Sequence, residues 1–68
     1  MTQEEIAQMA QRPYDELRAE KREAQRQMHE HLDAVEVARD DATRRYHRER
    51  YRFYSQLALD IATAIDMK

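Results

Sequence analysis

Arg39-Asp40-Asp41-Ala42, running on into Thr43-Arg44-Arg45-Tyr46, is the stretch on which the fold of this chain turns. Aspartate is a poor interior helix residue and a good N-cap, because its short carboxylate competes for nearby backbone N–H groups. No large apolar residue lies between Val37 and Tyr46. A bend at 39–42 therefore predicts a hairpin of two helices, each of about 26 residues. Against a bend, no Gly or Asn is on hand to take the left-handed conformation that ends many helices. That absence favours a continuous helix from Pro13 to Met67, on the order of 80 Å long.

Both readings rest on the same stripe. At 100° per residue, Tyr14, Leu17, Ala24, Met28, Leu32, Val35, Tyr46, Phe53, Leu57, Ile61 and Ala64 fall within roughly 100° of arc. Arg26–Glu30, His29–Asp33, Asp41–Arg45 and Arg45–Glu49 stand at helix-supporting spacing. A continuous rod buries this stripe only against another chain, as a coiled-coil-like dimer. A hairpin pairs positions that sum to 81, setting Leu17 against Ala64, Ala24 against Leu57, Met28 against Phe53 and Val35 against Tyr46. The same register sets Lys21 against Asp60 and His31 against Arg50. Such a hairpin is expected to dimerise into a helical bundle. From Phe53 to Ile65 the apolar face, which includes Tyr54, Leu57, Ala58, Ile61 and Ala62, is too wide for a two-helix seam, so this segment should meet more than one neighbour.

Upstream, Arg12-Pro13 marks the clearest boundary, since proline disfavours helical geometry in the residue before it and suits the start of a new helix. Thr2 and Glu5 form a capping-box pattern ahead of a short helix over residues 3–11, with Ile6, Met9 and Ala10 on one side. So short a helix is marginal alone and should dock on the rest. The expectation is an all-α chain forming one domain over residues 1–68.

Composition supports this. The 68 residues include no glycine, no cysteine and one proline, and no segment has the alternation and turn residues of strands. Charged residues make up 38% of the chain, but both signs are interspersed among periodic apolar positions, unlike a disordered chain. A core this small, with neither disulfide nor thiolate metal site to staple it, points to a homo-oligomer, a dimer first. Met28, Leu32, Val35, Tyr46, Phe53, Leu57, Ile61 and Ile65 are the candidate self-association residues.

The net charge of −2 conceals a strong asymmetry. Residues 1–43 carry six basic and eleven acidic side chains, whereas residues 44–52 carry five arginines against Glu49. On a helix Arg45, Arg48 and Arg52 share an outward face, with Arg44 and Tyr51 at its edge. Guanidinium forks suit carboxylates and phosphates, and a flanking tyrosine can stack or donate a hydrogen bond. Arg44, Arg45, Arg48, Tyr51 and Arg52 are thus the candidate partner-binding set. The expected partner is a larger protein with an acidic surface, with nucleic acid as the alternative. A plainer role is a solvated face balancing the acidic half.

No catalytic residue set is found. There is no cysteine, no glycine loop for phosphate, and Ser55 is the only serine. His29 and His31 point about 200° apart on a helix and cannot share one metal ion, and His29 with Asp33 lacks a third ligand. An inward His31 reads as a hydrogen-bonded core residue, with a pH switch as the sharper option. Neither cofactor nor metal is expected. No signal-peptide layout or membrane-spanning stretch is present, so the expected compartment is the cytoplasm. Read this way, the chain is a small non-enzymatic adaptor or regulator acting by protein–protein interaction.

Overall fold

The computed structural model describes all of residues 1–68 and contains three α-helices and no strand: α1 Gln3–Met9, α2 Tyr14–Val37 and α3 Asp41–Asp66. The chain is all-α, and α2 and α3 pack together as a hairpin. The continuous rod does not form. The chain leaves α2 through Ala38 in an extended conformation, φ −66° and ψ 134°. No residue anywhere adopts positive φ. An exit of this kind needs no left-handed residue, so lacking Gly or Asn is no obstacle to the bend.

Asp40 then caps α3, its carboxylate accepting the Thr43 backbone N–H at 2.9 Å. That bond holds the Asp40 carboxyl below the usual aspartate range, the Thr43 amide being the main cause. Arg44, one turn into α3, reaches back to donate to the Ala38 carbonyl at 3.1 Å. The first turn of the second helix thus satisfies groups at the end of the first.

At the other end, Thr2 and Glu5 close the expected capping box on α1. Its last residue, Met9, is buried against the hairpin. α1 stops at Met9 and the chain turns through Ala10–Arg12 to Pro13, which stands just outside α2 in the cap position.

The core is small and lies toward the open end of the hairpin. Met9, Leu17, Ala24, Ala58, Ile61 and Ala64 form it, with Ile6, Ala10, Leu57 and Ile65 packed around them. Leu17 and Ala64, paired in the expected register, are both completely buried. The wide face of α3 does meet two neighbours, α2 along its length and α1 near its end.

Some expected pairings fail. Asp60 bonds the Met1 amino group at 3.4 Å and Gln56 at 3.0 Å, not Lys21. Met28 and Phe53 border different recesses, so they do not form a core layer. Arg26–Glu30 forms, whereas Asp41 bonds Arg44 rather than Arg45, and His29–Asp33 and Arg45–Glu49 remain apart. Exposed partners at helical spacing gain too little to hold every pair. No helix is long and apolar enough to cross a membrane.

Candidate functional site

The helical spacing of α3, which Asp40 caps, sets which side chains share each of its faces. Asp41, Arg44, Arg45 and Arg48 surround a shallow polar recess of about 170 Å³ beside the bend. Within it, Arg44 is anchored by Asp41 at 3.2 Å and by the Ala38 carbonyl. Arg45, Arg48 and Arg52 are exposed and form no ion pair. Tyr51 is not in this recess. It is half-buried and lines a longer groove between α2 and α3 of about 440 Å³, with Met28, Ser55, Ala58, Leu59 and Ala62.

Recess and groove belong to one surface. Residues seven apart lie within about 20° of each other around a helix. Arg44 therefore lines up with Tyr51, Arg48 with Ser55, and Arg52 with Leu59. On α2, Arg18 lines up with Gln25, and Gln25 and Lys21 both border the groove. Arg22 stands one step further out. Arg18, Lys21 and Arg22, like Arg45, Arg48 and Arg52, form no ion pair.

The opposite side is different. There Arg12 binds both Glu16 and Glu20, and Arg26 binds both Glu23 and Glu30. Hydrogen bonding to Arg26 lowers the Glu23 carboxyl to about 2, and Arg12 and Arg26 are held still more firmly in their charged forms by their carboxylates. The hairpin thus sorts charge by face: two arginines bonded to four glutamates on one side, and the unpaired Arg18, Lys21, Arg22, Arg45, Arg48 and Arg52 on the other. The asymmetry along the chain and the shared face of Arg45, Arg48 and Arg52 are legible in the sequence, but the continuation of that face onto α2 is not. The seven-residue alignments of Arg18 with Gln25 and Arg52 with Leu59 are the signal that carries the rest.

The candidate self-association residues separate. Ile61 is 2% exposed and sits in the monomer's own core, so it offers no surface to a second chain. Leu57 and Ile65 are half-buried against that core. Met28 lines the basic-side groove, with Leu32 one turn beyond it, and Val35 is half-buried. Tyr46 and Phe53 remain 51% and 55% exposed. Phe53 borders a recess with Leu57, Asp60 and Met1, on the side that α1 partly covers.

Near the bend, His31 meets His47 rather than Arg50, with the two Nδ1 atoms 2.9 Å apart. The ring centroids are 5.1 Å apart, close to the largest separation that contact allows, so the nitrogens meet head-on. One Nδ1–H donates and the other Nδ1 accepts. Lone pairs gripping an ion would instead converge on a third point. Tyr54 stacks on His31 at 5.7 Å, while Arg50 lies over the Tyr46 ring of its own helix at 5.6 Å. No group of three or more potential metal ligands comes together. No protein-family model matches the chain, and no curated protein or solved structure is significantly similar to it.

Proposed function

We propose that this chain is a non-catalytic, self-associating helical adaptor or regulator that acts in the cytoplasm by binding a larger protein with an acidic surface. The observation that carries the reading is a hairpin with unsatisfied surface of two kinds, apolar on one side and cationic on the other. Its radius of gyration is 13.9 Å, against about 11 Å for a compact domain of this length. Its accessible surface is 5144 Å², against roughly 4,600 Å² for a typical monomer of this mass. Domains are normally two packed layers, and here α1 supplies a second layer only near the open end. A second copy would complete it on the side bearing the exposed rings of Tyr46 and Phe53.

The unpaired arginines support partner binding. Arg45 and Arg48, unpaired beside an Arg44 held by Asp41 and the Ala38 carbonyl, offer two guanidiniums to an anion. The same free cations favour nucleic acid as the second reading, although the net charge of −2 works against it.

Sedimentation velocity tests the self-association. A dimer has twice the 8.3 kDa chain mass, and Tyr46→Glu with Phe53→Glu should return it to a folded monomer. A monodisperse, well-folded monomer of the unaltered chain at micromolar concentration overturns this half of the reading. For the partner, binding to duplex DNA or RNA that is steep in salt and abolished by Arg45→Ala with Arg48→Ala would move the assignment to nucleic acid.

A further inference from the structure

The groove between α2 and α3 on the basic face has a floor unlike its rims. Its deeper positions are small or apolar: Met28, Ser55, Ala58 and Ala62, with Leu59 60% exposed at the edge. Its rims are cationic on both sides, Arg18, Lys21 and Arg22 on α2 and Arg48 and Arg52 on α3. The carboxylates of this side, Asp33, Glu36 and Asp41 toward the bend and Asp15 and Asp66 at the open end, lie beyond the apolar stretch. From Tyr51 to Ala62 that stretch runs roughly 16 Å, about three turns of a helix. Small residues on the floor let another helix approach to the short end of the usual interaxial range.

We propose that this groove receives an amphipathic helix from a partner protein, its apolar ridge seated on Met28, Ala58, Leu59 and Ala62 and its flanking carboxylates held by Lys21, Arg18, Arg48 and Arg52. The inference rests on the protein-binding reading above and names the partner's chemistry and its seat. Helix-in-groove recognition uses apolar anchors at i, i+3, i+4 and i+7, and the two cationic rims select acidic residues on either side of that ridge. A second copy fits poorly here. Two-fold pairing through this face would oppose like charges, and docking one copy's far face here would repeat without closing. Nucleic acid fits the rims but leaves the apolar floor unused. At the bend end, the recess of Arg44, Arg45 and Arg48 extends the same surface, with Asp41 already bonded to Arg44.

The test is fluorescence anisotropy with labelled synthetic peptides of about four helical turns, carrying leucines at the anchor spacing. One series is flanked by glutamate, one by lysine, and one has the glutamates with its leucines scrambled. The glutamate-flanked peptide is expected to bind, with the lysine and scrambled versions weaker by about tenfold or more. Leu59→Glu should weaken it by a similar factor. Lys21→Glu with Arg52→Glu should reverse the preference toward the lysine peptide. Circular dichroism confirms that each variant, altered only at exposed or half-exposed positions, remains helical.

Equal binding of acidic and basic peptides, or binding that survives Leu59→Glu unchanged, overturns the proposal. So does short duplex DNA or anionic vesicles displacing the peptide equally well from the Leu59→Glu variant. The outcomes separate from those of the self-association test. A monomer that binds the acidic peptide removes the dimer and leaves the groove, whereas a dimer that ignores it removes only the groove.

Discussion

Asp40 does two jobs at once: it caps the helix that follows the break and starts α3 in the frame that places Arg44 against Ala38. Replacing it with alanine removes the acceptor for the Thr43 amide. Loss of an N-cap in a domain of this size is expected to lower Tm by about 5 °C, read by thermal circular dichroism; no change in Tm would mean that the bend is held elsewhere. Glu23 makes the pH-dependent counterpart. Its folded value, about 2, lies below the ordinary 4.5 because Arg26 bonds the charged form. The stabilisation is therefore present above the ordinary value and is lost as pH falls from 4.5 toward 2. The pair is exposed, so the effect is small. Melting curves across that interval should flatten in Glu23→Gln, and an identical acid slope in both proteins would contradict the assignment.

At the scale of the elements, the hairpin depends on a few fully buried contacts. Leu17 is completely enclosed, with Ala64 opposite it on α3 and Met9 of α1 in the same cluster. Leu17→Ala is expected to cost about 2–5 kcal/mol, which is comparable to the whole stability of a chain this small. The protein should then be largely unfolded at room temperature, as urea or thermal denaturation would show. A Leu17→Ala protein that melts within a few degrees of the parent would mean the core lies elsewhere. The His31–His47 contact is a different kind of link, joining the two helices near the bend through one shared proton. The α1 helix, only seven residues long, owes its existence to its cap and to Met9. Met9→Glu should release it, detectable as rapid amide exchange over residues 3–9 while α2 and α3 stay protected.

For the molecule as a whole, the consequential result is that charge divides by face. Arg12 and Arg26 each take two carboxylates on one side of the hairpin, so that two arginines there face four glutamates and the group stays acidic. Apart from Arg44, which bonds Asp41, the cations of the other side form no ion pair, and they flank the apolar floor between Tyr51 and Ala62. The proposed dimer face and the proposed groove lie on different sides of the hairpin, so the two proposals do not compete for one surface.

Helix content, the Arg12-Pro13 boundary and the capping box at Thr2 were all determined by the sequence alone, because each depends on contacts within four residues. The core members Leu17, Ala24, Ile61 and Ala64 were legible too, since a 3.6-residue period marks an inward face whatever lies opposite. The direction of the chain after Val37 was not. A rod and a hairpin bury the same stripe, and an extended exit at Ala38 carries no sequence mark comparable to a glycine. The candidate site divides along the same line. The arginines of 44–52 could be listed from sequence, but their continuity with Lys21, Met28 and Leu59 exists only once α3 lies antiparallel to α2. The opening tetrad Arg39-Asp40-Asp41-Ala42 permits a bend; it is the packing of Leu17 on the far end of α3, more than twenty residues away from the bend on either helix, that makes the bend worth forming.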